Sequence, residues 1–495
     1  MIQNVLVLGG GSAGFIAAIA LKRKIPALSV RVVRSPDIGI IGVGEGTTRI
    51  FPKFFFEQLG LNPASFYALA QPTWKLGIRF LWGPRPSFNY AFSKALSTRL
   101  AGQERNTGFY MEQEFANADF WYSLMEQDKA LPRTEKGQPT LLNHSALAFH
   151  MENKKFVEYL ELVARELGVV IQDAKVEHVE RGPEGVASLR LESGETLKAD
   201  LYVDSSGFRS ELLGRALEVP FQSFSDVLYC DRAVIGAWRR TNEPIKPYTV
   251  AETMDHGWCW QIEHETIINR GYVYSSRFVE DDTARAEYLR KNPKVNPEET
   301  RVVKFRSGRF GTMWQQNVVG IGNAAGFVEP LEATSIQVII VQARTLADCL
   351  LDSQCEPSPT VQSLYNRVVT TQWDEVRDFL AVHFKFNTRL DTPFWQACRN
   401  DIPLRGAQAI YDFYVENGPS VLGENYVLDP QNAFGIEGYL ALFVGQQVPH
   451  RRMGRVAPAD RAAWQRHAAE NAATAECGFT VREALDYIRR PDWKW

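Results

Sequence analysis

Cysteine is scarce in this chain: six residues in 495, none in a C-x-x-C pair or at a metal-ligand spacing. Scattered as Cys230, Cys259, Cys349, Cys355, Cys398 and Cys477, they argue against a disulfide framework or a structural zinc site. They read as the reduced thiols of a cytoplasmic protein. Charge of one sign is lacking too: a formal net charge of -3 leaves no basic footprint, so no nucleic-acid partner is expected. No apolar run is long enough to span a bilayer, and no membrane partner is expected. The opening residues, MIQNVLVLGGG, run into an apolar strand without the basic segment and cleavage site of a signal peptide. Repeats and low-complexity tracts are missing as well. What remains, 45% hydrophobic and 23% charged, is the composition of an ordinary globular protein with ample length for a buried core. Aromatic residues are plentiful, with 12 tryptophans and 29 phenylalanines. They predict either an aromatic-lined cavity or simply an aromatic-rich core.

Residues 4–8, NVLVL, form a continuous apolar run bounded by glycine, as a buried parallel strand does. Ser12 to Lys24 reads as a helix of small residues stopped by Pro26, and Ser29 to Val33 as a second strand. Between the first strand and the helix lies Gly9-x-Gly11-x-x-Gly14. In that setting the first glycine permits a tight turn, the second lets a pyrophosphate approach the backbone, and the third lets helix and strand pack closely. Ser12 and Ala13 complete the helix N-terminus that would face the phosphates. The acid that normally binds the ribose should fall about twenty residues on; Arg34 stands there. Either Asp37 substitutes, or Arg34 packs over the adenine, or the arginine meets a 2′-phosphate, as in NADP. Two later strand-and-turn segments, DLYVDSSG at 200–207 and GIGNAAG at 320–326, nominate Asp204, Gly322, Asn323 and Gly326 for the same cofactor. The last of them opens a helix running to about Leu351. Residues 153–168, 360–390 and 456–490 also read as largely helical.

Two tryptophans, Trp258 and Trp260, share one face of a strand in GWCWQIEH with Ile262. In TWKLGIRFLW, at 73–82, Trp74, Leu76, Ile78, Phe80 and Trp82 alternate onto one face, and Lys75, Gly77 and Arg79 onto the other. Alternation alone allows Lys75 to face solvent, the usual fate of lysine.

With the three glycine segments, GVGEG at 42–46, TWKLGIRFLW, GWCWQI and GNAAGFVEPLEATSI at 322–336, the chain resembles a flavin-dependent halogenase of the tryptophan-halogenase family. The resemblance covers about the first 345 residues and more loosely the rest. It departs from the pattern W-x-W-x-I-P at Glu263, which replaces the proline.

The fold it implies is α/β: a discontinuous Rossmann-type FAD-binding module over 1–345, with inserted strands and a substrate-facing segment at about 90–150. A mainly helical substrate module over 346–495 follows. The implied cofactor is FAD, delivered as FADH2 by a separate flavin reductase, with a halide ion as co-substrate and a small aromatic such as an indole as substrate. A homodimer is compatible with this. By the resemblance, Lys75 is the catalytic lysine that holds the hypohalous acid or forms a haloamine, with Gly77 leaving space beside it. Glu332 is the catalytic glutamate, and the amides of Thr334 and Ser335 bind the halide. Gly44 and Glu45 belong to a strap over the flavin. Trp258 and Trp260 stand on the flavin side and deny an organic substrate that position. A single-component FAD monooxygenase taking NAD(P)H directly is the alternative, with Arg34 as its support. Enzymes of the family that take free tryptophan grip it with a tyrosine pair, a glutamate and an aromatic. The corresponding stretch here, 434–447, has Glu437, Tyr439 and Phe443 without the pair, so free tryptophan is expected to be a poor substrate. Arg405 and Tyr411 are the residues that could build a different clamp.

Overall fold

A computed structural model describes the chain except residues 36, 38, 40–43, 141–146 and 453–455 and the side chains of 425 and 426. Gly42 and Val43 of the expected strap therefore lie outside the described residues. By compactness the chain divides into two units, 1–71 with 151–225 and 305–374, and 72–150 with 226–304 and 375–495.

The first unit is built on a six-stranded sheet. Its order is Trp314–Gln315, Val318–Gly320, Leu201–Asp204, Asn4–Leu8, Ser29–Arg34, Val170–Asp173, parallel except for the hairpin at one edge. Leu6 and Leu8 join the core cluster formed with Leu189, Leu191, Leu212 and Leu213, beneath the small antiparallel sheet at 176–197. The helix Ser12–Lys24 has Gly14 through Leu21 buried and packs on the helices Thr334–Asp352 and Asn153–Glu166. Its alanines permit close approach, and Lys22, Arg23 and Lys24 favour its carboxyl end. Among the described helices, only Thr334–Asp352 is long and apolar enough to cross a membrane. It is two-thirds buried within the fold, as a core helix is.

The helix expected to open at the GNAAG turn starts later. A short strand, Gly326–Phe327, and a turn through Glu329–Ala333 come first, and Thr334 is the first helical residue. Pro330 disfavours helical backbone at Glu329, and the left-handed Ala333, at φ +54°, keeps the turn from joining the helix before Thr334.

The second unit holds a seven-stranded sheet. Its order is Arg301–Lys304, Arg232–Arg239, Ile267–Tyr274, Gly257–Glu263, Thr249–Met254, Gly77–Leu81, Phe88–Ala91. The C-terminal helices are fastened to it by buried hydrogen bonds. Trp82 Nε1 donates to the His383 carbonyl at 2.9 Å, Trp395 Nε1 to the Met254 carbonyl at 2.7 Å, and Asn387 Nδ2 to Thr253 Oγ1 at 3.0 Å. These links are why compactness does not divide the chain at residue 345. Strands from 72–91 and 226–304 group with the C-terminal helices instead of with the glycine-rich module.

TWKLGIRFLW is two strands, not one. Thr73–Lys75 pairs with Ala148–Met151 and Gly77–Leu81 joins the large sheet, with the break at Leu76. The Leu76 amide donates instead to the Pro247 carbonyl at 2.7 Å.

Candidate active site

In the first unit the glycine turn is constrained unequally. Gly9 has φ +121°, and a Cβ there would lie 2.3 Å from the Ser205 carbonyl oxygen. A Cβ on Gly14 would lie 2.0 Å from the Gly9 oxygen. A Cβ on Gly11 would meet nothing within 4 Å. Two glycines are thus demanded by packing, while the third faces open space. The helix that follows has no side-chain cap, so its first amides are open to a ligand. The turn fits a dinucleotide pyrophosphate on both counts. Ser205, unremarked in the sequence, holds it by donating its hydroxyl to the Leu8 carbonyl at 2.9 Å. The Ser12 hydroxyl donates to Asn153 Oδ1 at 3.2 Å.

Other expected cofactor residues are engaged elsewhere. The Asp204 carboxylate is buried and accepts from Ser206 N and Oγ and from the amides of Leu212 and Leu213; it is a cap for the chain that follows. Arg34 lays its stem over Gly10, whose Cβ would fall 2.6 Å from Arg34 Cδ. Its guanidinium pairs with Asp173 at 2.6 Å and with Glu161. Burial works against its charge, but these two carboxylates outweigh burial and hold it firmly protonated. An arginine so occupied is a poor hook for a 2′-phosphate. Gly326 serves strand pairing, its Cβ position lying 2.8 Å from the Gly308 carbonyl.

Gly322, Asn323, Thr334 and Ser335 come together. With Phe327, Val328 and Trp373 they line one small recess. Gly322 has φ +64°, and a Cβ there would sit 2.8 Å from the Ala13 Cβ, so this turn rests on the start of the first helix. Glu332 is buried just before the recess, and Ala333 between it and Thr334 is left-handed at φ +54°, a sparsely populated conformation for a residue with a Cβ. The helix beginning at Thr334 again has no side-chain cap. Trp373 is a residue that sequence reasoning missed. It is buried, and its indole N–H has no acceptor among the described residues. No local signal marks it, because it lies 38 residues beyond Ser335 on another helix (373 − 335). Just beyond the strap, Thr48 Oγ1 donates to Gln337 Oε1 at 2.6 Å, on the helix Thr334–Asp352. Glu45 is half-buried, and burial pushes its carboxyl up to about 7.

In the second unit Lys75 is fully buried, which excludes the solvent-facing reading. Its ammonium lies 5.0 Å from the centre of the Phe92 ring, within reach of a cation–π attraction. Thr73 pairs with His150 across the strand ladder and Lys75 with Ala148, so Thr73, Lys75 and His150 share a face. His150 donates to or accepts from Thr249 Oγ1 at 2.8 Å. Burial, then the Lys75 charge and His264, drive the His150 pKa well below the usual histidine value, and the ring is neutral. Gly77 does not leave space, as expected of it; a Cβ there would lie 2.2 Å from the Tyr90 carbonyl and 3.0 Å from Met125 Sδ. It is glycine because the neighbouring strand closes on it.

Trp258 and Trp260 are buried on one face of Gly257–Glu263, as the alternation requires. Trp260 stands opposite Gly271 and Ala251. The added Cβ at Gly271 would be 2.3 Å from the indole, so the large ring lies over a position left empty. The row continues through Ala251 to Phe80 and Phe88. Cys259, Gln261 and Glu263 occupy the opposite face, where Glu263 is buried against Arg240.

Along Gly435–Gly445 the Glu437 carboxylate is closed on the amides of Leu96 and Ser97 at 2.9 and 2.8 Å. Burial pushes it up to about 7 and Asp119 adds to this, with the two amides acting against. Tyr439 packs on Phe379. Of the other clamp candidates, Arg405 pairs with Asp226 and Tyr411 stacks on Phe386. Among the described residues no group of three or more His, Cys, Asp or Glu is placed to hold a metal, and none of the six cysteines is in a disulfide.

Comparison with known proteins identifies the family of the chain. The family model for tryptophan halogenase matches residues 4–461. Tryptophan 7-halogenase KtzQ of Kutzneria sp. is 34% identical over 427 residues, covering 80% of this chain and 79% of its own. Tryptophan 7-halogenase RebH of Lentzea aerocolonigenes is 31% identical over 438 residues, covering 83% and 82%. The crystal structure of MibH, a lanthipeptide tryptophan 5-halogenase, superposes with a TM-score of 0.88 at 37% identity over 98% of this chain and 93% of that one.

Proposed function

Because the chain belongs to the tryptophan halogenase family and is a flavin-dependent halogenase, we propose that its substrate is an indole ring carried in a larger molecule, such as a tryptophan within a peptide. The observation that carries this is the Glu437 carboxylate. Each of its oxygens already accepts from a backbone amide, of Leu96 or Ser97, which ties the group to that loop rather than to the ammonium of free tryptophan. A zwitterion brought into a buried site needs partners for both charges, or burial costs several kcal/mol. A tryptophan inside a peptide has neither charge. MibH, a lanthipeptide tryptophan 5-halogenase, supports this choice.

The flavin would be held by the Gly9–Gly14 turn and the helix start at Ser12, with Gly322 and Asn323 beside it. When bound as FADH2, delivered by a separate reductase, it supplies with O2 the oxidising power that converts halide into hypohalous acid. The sum is ArH + X⁻ + FADH2 + O2 + H⁺ → ArX + FAD + 2 H2O. The amides of Thr334 and Ser335, open at a helix start, hold the halide, with the indole N–H of Trp373 as a further donor. Lys75, buried under Phe92, holds the hypohalous acid by hydrogen bonding or takes its halogen. Glu332 accepts the proton that the halogenated ring loses. The occupied Arg34 leaves the NADPH-dependent hydroxylase without its support.

Turnover with a flavin reductase, O2 and bromide or chloride tests the proposal. Free tryptophan, indole and short tryptophan peptides compete, and products are read by mass spectrometry. Halogenated peptide should dominate in kcat/KM, with no NADPH oxidation unless the reductase is present. A clear preference for free tryptophan at either halide would overturn the substrate reading.

A further inference from the structure

We propose that the buried pair Arg240–Glu263 is a positioning device for Lys75, acting through the hydrogen bond from Thr73 to the Glu263 carbonyl. The proposal rests on the role assigned to Lys75 above. Glu263 stands where the family pattern has proline, so this chain carries a carboxylate at the end of the tryptophan strand. The Arg240 and Glu263 side chains are 3% and 1% exposed. Every N–H of the guanidinium is used. Nε and Nη2 donate to the His264 carbonyl at 3.2 and 2.8 Å, Nη1 to the carbonyls of Glu243 and Pro244 at 3.2 and 2.8 Å, and Nη2 also to Glu263 Oε2. Glu263 Oε1 accepts from Gln261 Nε2 at 2.6 Å. Gln261 is held in turn by Arg270, which pairs with Glu252.

A buried ion pair is seldom worth more to stability than well-packed apolar residues of the same size. Keeping one at this position therefore points to a geometric task. The pair immobilises residues 263 and 264, and the Glu263 carbonyl accepts from Thr73 Oγ1 at 2.5 Å in a buried bond. Thr73 is two residues from Lys75 on a three-residue strand, Thr73–Lys75, and on the same face. The strand ends at Leu76, where the backbone leaves for the large sheet. So short a strand depends on its anchors, and the Thr73 bond ties it to the end of the tryptophan strand. A shift of residue 263 thereby reaches the ammonium of Lys75.

The test measures halogenated product per FADH2 oxidised, with bromide and an indole that the parent enzyme halogenates. The variants are Thr73→Val, Glu263→Gln and Lys75→Ala. Because sub-ångström misplacement of a reacting group is costly, Thr73→Val and Glu263→Gln should each lower that ratio about tenfold while total FADH2 oxidation stays within about twofold. Should Glu263→Gln fail to fold, Thr73→Val decides, since it keeps the shape and removes only the hydroxyl. Parent-like ratios in the variants that fold, with Lys75→Ala inactive, would overturn the positioning role alone. A parallel fall of ratio and FADH2 oxidation would also overturn it, as the signature of a merely structural pair. If Lys75→Ala halogenates like the parent, the assignment of Lys75 is wrong and this inference falls with it.

Discussion

The glycine turn of the first unit and the lysine strand of the second are both short motifs flanked by apolar residues, yet they are held in opposite ways. Gly9 and Gly14 are fixed by backbone atoms a few residues away or on the adjoining strand. Gly14 meets the turn itself and Gly9 meets Ser205 at the end of the strand alongside, so close backbone approach dictates both. Thr73–Lys75 is fixed by side chains remote in sequence: His150, Thr249, Glu263 and, behind that, Arg240. A motif of the first kind fails when atoms collide. One of the second kind fails when a distant partner is lost, leaving a buried polar group uncompensated.

The sharpest test of this contrast is at Lys75 itself. Lys75→Ala should abolish halogenation while FADH2 oxidation to peroxide continues, measured as product and peroxide in one assay. Loss of both activities together would mean the lysine supports the flavin side. Glu332→Gln should lower the halogenation rate by about a hundredfold, because the amide keeps the size and loses the basicity. Next in size, Gly14→Ala forces a carbon against the Gly9 carbonyl and should cost about 1–3 kcal/mol, the usual scale for overpacking, read as a lower Tm.

A smaller effect is expected from Glu437. Its folded-state pKa of about 7 lies above the ordinary 4.5. The folded protein therefore holds this proton more tightly than the unfolded chain does. That stabilisation is fully present below about pH 4.5 and is lost as pH rises through 7. Glu437→Gln should flatten the fall of Tm across this window without removing it, since Glu375 and Glu45 are also pushed to about 7. An unchanged slope would show that Glu437 is already ionised in the folded protein. The smallest expected effect is Gly11→Ala. With open space around it, the methyl should leave Tm unmoved and weaken FAD binding alone, by equilibrium titration.

The first strand, the glycine turn, the helix to Lys24 and the tryptophan strand were legible because periodicity and glycine spacing are properties of a few adjacent residues. The helix expected at the end of GNAAG begins eight residues later, at Thr334 instead of Gly326, since the intervening segment Glu329–Ala333 has no period to read. Gly77 departs from expectation for a related reason: a glycine written in a sequence does not say whether the room it leaves is empty or already filled by a neighbouring strand.

From the sequence alone came the parallel α/β start, the fingerprint that fits a dinucleotide, and the motif blocks by which the family can be recognised. Which carboxylates remain available was settled only by the tertiary structure. Asp204 caps its own chain, Glu437 closes on Leu96 and Ser97, Glu161 and Asp173 occupy Arg34, and Glu263 meets Arg240. A buried charge or hydrogen-bonding group must find partners wherever folding brings them. Those partners lie from two residues away, as Ser206 does for Asp204, to 341, as Leu96 does for Glu437, and no spacing rule in the linear chain encodes them.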